Sequence, residues 1–91
     1  MSTKIDIEYC GSWGYGGPAS RVKKAINAAF PDVEINMHSA YGKTGVIKVS
    51  WVRDGKMEVV WSKGRDETEK GHAEIVALLK KSHYWKISHE T

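Results

Sequence analysis

The dipeptide Asp54-Gly55 lies between two runs of alternating apolar residues, Ile47, Val49 and Trp51 before it and Met57, Val59 and Trp61 after it. Aspartate followed by glycine is the preferred chemistry of a two-residue hairpin turn, and period-two alternation is the mark of a half-buried strand. The hairpin therefore constrains the whole chain. It joins the third and fourth strands directly and leaves no room for a helix between them, which separates this element order from that of an RNA-recognition motif.

Upstream of the hairpin, Ile5, Ile7 and Tyr9 alternate with Asp6 and Glu8, which predicts a first strand over residues 4–10. The glycine-rich run Gly11-Ser12-Trp13-Gly14-Tyr15-Gly16-Gly17 follows, and Pro18 reads as the first residue of a helix, where its missing N–H costs nothing. Val22, Ala25, Ile26, Ala29 and Phe30 recur at helical spacing, with Arg21, Lys23, Lys24 and Asn27 on the opposite side. Pro31-Asp32 ends that helix, and Val33, Ile35 and Met37 open a second strand. After the hairpin, Asp66 and Glu69 have the spacing of a capping box. They predict one last helix with His72, Ile75, Val76 and Leu79 inward, ending near Lys80-Lys81. The tail from Ser82 to Thr91 is polar apart from Tyr84, Trp85 and Ile87, and its end is expected to fray.

The order β-α-β-β-β-α predicts a two-layer α/β sandwich. It has a four-stranded mixed sheet with the first strand central and parallel to the second. A right-handed crossover puts the first helix on one face, and the last helix covers the same face. The expected core is Ile7, Ile26, Phe30, Ile35, Val49, Val59, Ile75 and Leu79. Trp51 and Trp61 are expected to pack on the side that also carries Met57 and Val59.

The 91 residues are read as a single domain, with a core over about 4–81 and a tail over 82–91. A domain of this size buries roughly 60–65% of its unfolded surface, so a large buried cofactor is not expected. No stretch approaches the roughly 20 apolar residues of a membrane span. The first residues lack the apolar run of a signal peptide, so the expectation is a cytoplasmic monomer that engages no membrane. A net charge of +3, spread along the chain, gives no basis for nucleic-acid binding. The four histidines are scattered without carboxylate or histidine neighbours at ligand spacing, so no metal site is expected.

Cys10 is the single cysteine, which excludes an internal disulfide and a cysteine-rich zinc site. It ends the first strand ahead of a flexible glycine-rich loop and a helix N-terminus. Backbone N–H groups and the helix dipole there favour thiolate over thiol, although the seven residues between Cys10 and Pro18 limit what the helix alone contributes. Its position on the polar phase of the strand predicts an accessible thiol.

The run Glu8-Tyr9-Cys10-Gly11-Ser12-Trp13-Gly14-Tyr15 resembles the start of the selenoprotein W family, the Rdx or SelT/SelW/SelH proteins. The similarity continues through Lys23-Lys24, Phe30-Pro31, Thr44-Gly45-Val46-Ile47-Lys48-Val49, Gly55-Lys56 and Ser62-Lys63 to Lys80-Lys81, covering about residues 4–81. The resemblance implies a thioredoxin-like fold and a redox role built on a Cys-x-x-selenocysteine or Cys-x-x-Cys pair. It further implies glutathione as co-substrate, or a protein thiol or disulfide as partner, with no bound cofactor. By position, Cys10 matches the first redox residue and Trp13 the second, with Gly11, Ser12, Gly14 and Tyr15 forming the binding loop.

An indole cannot attack a disulfide or peroxide, so two-residue cycling is absent from this chain as written. Three readings of Trp13 stand: a UGA selenocysteine codon read as tryptophan, a natural monothiol or binding paralogue, or a loop aromatic packed over the sheet edge. The loop from Ser39 to Gly45 also lacks the proline that thioredoxin-like enzymes place opposite the reactive cysteine. Beside the redox reading stands a non-enzymatic interaction module, whose Trp13, Tyr15 and Tyr41 form a protein-binding surface.

Overall fold

The computed structural model describes residues 3–10, 15–40, 45–83 and 85. Its elements run β1 (Thr3–Cys10), α1 (Gly16–Ala29), β2 (Glu34–Ala40), β3 (Ile47–Arg53), β4 (Lys56–Lys63), α2 (Arg65–Lys70) and α3 (His72–Lys81). The strands form one sheet in the order β2-β1-β3-β4. β1 is parallel to β2 and antiparallel to β3, and β3–β4 is the expected hairpin. Asp54 and Gly55 both take positive φ, +51° and +78°, the left-handed pair that a type I′ turn requires. α1 packs against both α2 and α3, so the helices share one face of the sheet. This is a mixed α/β sandwich compatible with a thioredoxin-like fold.

The core lies between that face and the helices. Ile5, Ile7, Val22, Ile26, Ile47, Val49, Trp51, Ile75 and Leu79 are fully buried, with Phe30 and Trp61 nearly so. Trp51 donates its indole N–H to the carbonyl of Leu79 at 3.0 Å, an acceptor in the last turn of α3 that also takes the backbone N–H of Ser82 at 3.3 Å.

Several expectations need correction. α1 begins at Gly16 rather than Pro18, with the first helical bond from the Ala19 N–H to the Tyr15 carbonyl at 2.9 Å. Pro18 still lies within the first turn, where no N–H is needed. The last helix is two helices, broken at Gly71, and its entry is not a side-chain capping box: Gly64 is the N-cap of α2, and Asp66 lies inside the first turn. Gly71 is demanded by close approach. A Cβ there would sit 2.7 Å from Trp61 Cη2 and 2.9 Å from the Glu67 carbonyl oxygen.

The largest correction is in β4. The β3–β4 register pairs Val49 with Trp61 but Ser50 with Val59, so an extra residue, Val60, is accommodated in β4. Such a bulge reverses the side-chain phase beyond it. Trp61 therefore faces the helices, whereas Val59 and Met57 turn to the open face, 48% and 54% exposed. Glu58 takes the helix-side position opposite Trp51 and accepts a hydrogen bond from Ser82 Oγ. Val59 thus leaves the expected core. Ile35 is only half-buried, because β2 is an edge strand that α1 covers in part.

The chain beyond α3 is anchored as far as Trp85. Its ring meets Phe30 edge-on at 4.5 Å and stacks on Trp51 at 5.7 Å, while Phe30 and Trp51 meet edge-on at 5.7 Å. Residues 86–91, where fraying was expected, lie outside the described residues.

Candidate functional site

Cys10 is the last residue of β1, an interior strand. The β1–β3 pairing stops at Tyr9↔Ile47, whereas the β1–β2 pairing continues one residue further to Cys10↔Ala40. The parallel β1–β2 pair therefore carries Cys10 to the sheet edge from which the chain crosses toward α1, the usual location of functional groups in α/β folds.

The expectation of an accessible thiol is not met: Cys10 is 2% exposed. Lys4, Asp6 and Glu8 on the same phase are half-buried, so the alternation that predicted exposure fails at the final position. The physical reason is a short side chain on an interior strand.

Tyr15 marks the near rim of this end of the sheet. It is the N-cap residue of α1, half-buried, and its hydroxyl donates to the carbonyl of Gly45 at 3.0 Å. Gly45 has φ +56° and lies two residues before β3. The Arg65 guanidinium lies over the Tyr15 ring, 5.9 Å from its centroid, which brings the start of α2 to the same place. A Cβ built on Gly64 would lie 3.9 Å from the Gly45 oxygen, so the β4–α2 junction closes on the same carbonyl. One tyrosine thus ties together the N-terminus of α1, the entry to β3 and the start of α2. The Tyr15–Gly45 bond links residues thirty positions apart, and no local spacing in the sequence signals it.

Gly11, Ser12, Trp13 and Gly14 lie outside the described residues, as does Tyr41. Among the described residues no group of three histidine, cysteine or acidic side chains is gathered as a metal centre would need. No helix among them is long and apolar enough to cross a membrane. Thr68, which sequence reasoning passed over, proves fully buried. Its hydroxyl accepts from Trp61 Nε1 at 2.9 Å and donates to the Gly64 carbonyl at 2.7 Å, fixing α2 on the end of β4.

An α/β sandwich with its single cysteine at the C-terminal end of an interior strand, ahead of a helix N-terminus, has the layout of a thioredoxin-like protein. The comparison with family models makes the assignment specific: residues 4–81 match the Rdx family, and the chain belongs to it. That family takes in the SelW, SelT and SelH types, so the protein is of the selenoprotein W-like redox type in general terms. No curated protein matches the sequence.

Proposed function

We propose that the protein is a monothiol member of this family. Cys10 is its reactive group, exchanging with glutathione or with a protein thiol or disulfide. The observation that carries the reading is the placement of the single cysteine at the end of β1, within the region matched by the family. The chemistry is thiol–disulfide exchange. The Cys10 thiolate attacks one sulfur of oxidised glutathione, a protein–glutathione disulfide forms, and one glutathione thiolate leaves. No second cysteine is available to resolve the adduct internally, so a second glutathione must attack and regenerate the thiol. With Trp13 at the second redox position, the chain stores one disulfide with an external partner and cannot cycle alone.

Burial of Cys10 favours a second reading, a binding module on the same fold with an inert thiol. One experiment separates the two. Native protein is incubated with oxidised glutathione and its intact mass is followed. The redox reading expects a single glutathione adduct, reversed by reduced glutathione, and absent from Cys10→Ser. Modification only after denaturation would leave the binding-module reading in its place.

A further inference from the structure

On the flank of α1 facing β2 lies an open groove of about 330 Å³, lined by Ser20, Lys23, Lys24 and Asn27 with Ile35 of β2. The four polar positions are i, i+3, i+4 and i+7 of one helix, so they form a continuous stripe. Its charge is unbalanced. Arg21 on the same helix is held by Glu69 and Lys4 by Glu34, but neither Lys23 nor Lys24 has an ion pair among the described residues. Among the described residues no acidic side chain lines the groove.

The second feature is the strand beside it. β2 ends the sheet order, so alternate backbone N–H and C=O groups along it point away from β1 with no strand to receive them among the described residues. A cationic helical stripe, a half-buried isoleucine and an open strand edge are thus side by side. We infer that this groove docks an extended, acidic segment of a partner protein. The segment adds as a strand to the edge of β2, its carboxylates meet Lys23 and Lys24, and an apolar side chain rests on Ile35. A segment seated at Ile35 and following β2 to Ala40 spans about 17 Å at a strand's rise per residue. It would end beside the Cys10↔Ala40 pair. The docking does not depend on the thiol chemistry proposed above.

The test is an amide chemical-shift titration of the full chain with a blocked hexapeptide carrying glutamate, valine and glutamate at its odd positions and serine at its even ones, so that the carboxylates and the apolar side chain share one face. The expected result is a perturbed set centred on Ser20, Lys24, Asn27 and Ile35 and extending along β2. Affinity should fall at least about tenfold in the double variant Lys23→Glu/Lys24→Glu, and steeply with added salt. The same peptide N-methylated throughout keeps its charges but loses its donors, and should fail to bind. Three results overturn the inference: equal binding by the N-methylated peptide, the same shifts from inorganic phosphate alone, or tighter binding by a single-stranded oligonucleotide. So does the absence of groove shifts up to about 1 mM peptide, the weak end of useful recognition. Far-ultraviolet circular dichroism of the double variant confirms that lost binding is not lost fold.

Discussion

The indole N–H of Trp61 and the hydroxyl of Thr68 form a buried hydrogen bond of 2.9 Å that joins the end of β4 to α2 seven residues on. Thr68 has no exposed surface, so water cannot replace either partner once one is removed. Thr68→Val keeps the shape and deletes the acceptor, leaving the Trp61 donor buried and unsatisfied at a cost of about 1–3 kcal/mol. For a domain of this length each kcal/mol lowers the midpoint by roughly 4–8 °C. Thermal unfolding of Thr68→Val beside Thr68→Ser measures it. The serine variant keeps the oxygen and should lose distinctly less.

Gly71 supports the same junction by having no side chain. Because the nearest obstacles to a Cβ are an indole ring and a backbone carbonyl, Gly71→Ala cannot be relieved by a swinging side-chain tip. The ordinary gain in helix propensity from alanine should be reversed, giving a loss of about 1–3 kcal/mol from overpacking. Denaturant unfolding at unchanged m-value is the measurement, and a stabilised variant would contradict the contact.

The bulge in β4 yields a contrast between residues that the sequence pattern treats alike. Ile26→Ala and Leu79→Ala empty fully buried sites and should each cost about 2–5 kcal/mol. Val59→Thr, on the open face, should stay within about 0.5 kcal/mol of the parent. A strictly alternating β4 would instead make the Val59 substitution one of the costly ones. This contrast also marks how far the sequence could be read. Period-two and 3.6-residue patterns, with the Asp54-Gly55 turn, were enough to place every strand, the first helix and the order of the sheet. They could not locate Val60 as an inserted residue, because a bulge preserves composition and changes only pairing. Nor could they divide the last helix at Gly71, which depends on where the Trp61 ring lies.

The candidate site was legible in part for the same reason. Residue type and position single out Cys10, whereas strand alternation does not foretell its burial, and the Tyr15–Gly45 bond joins residues thirty positions apart. Tyr15→Phe removes that bond and leaves the ring in place. The expected loss is about 0.5–1.5 kcal/mol. Because the bond ties the two segments at the Cys10 end of the sheet, alkylation of Cys10 in the native state should become faster. An unchanged alkylation rate alongside a measured stability loss would confine Tyr15 to a structural role.

Trp85 lies beyond the region matched by the family, yet its ring lies against both Phe30 and Trp51. Aromatic pairs of this geometry contribute about 0.5–1.5 kcal/mol each beyond the area they bury. Trp85→Ala should therefore cost at least about 1 kcal/mol. The signature is a lower urea midpoint together with altered near-ultraviolet circular dichroism, since the stacked indole on Trp51 is lost. A silent substitution would return the whole segment after α3 to the status of a tail.

Replacing Trp13 by cysteine asks whether the scaffold still holds the geometry of a two-residue redox centre. Trp13→Cys supplies the missing sulfur two residues beyond Gly11, and closure requires the two Cα atoms to approach within about 4.4–6.8 Å. In oxidised glutathione buffer the variant should pass through a mixed disulfide on one thiol, which the other then attacks. The product is an internal disulfide to Cys10, with two glutathione thiols released per oxidised glutathione consumed. The expected mass is two hydrogens below the reduced variant, with no glutathione retained, against the single adduct of the parent chain. The midpoint should fall in the region of about −180 to −270 mV occupied by dithiol proteins of this class. If both thiols instead carry separate glutathione adducts and no internal disulfide closes, the loop no longer holds the family's active-site geometry. The interaction-module reading then takes precedence over the redox one. Closure would instead locate the lost chemistry at residue 13 alone, with the surrounding strand, helix and thiol intact.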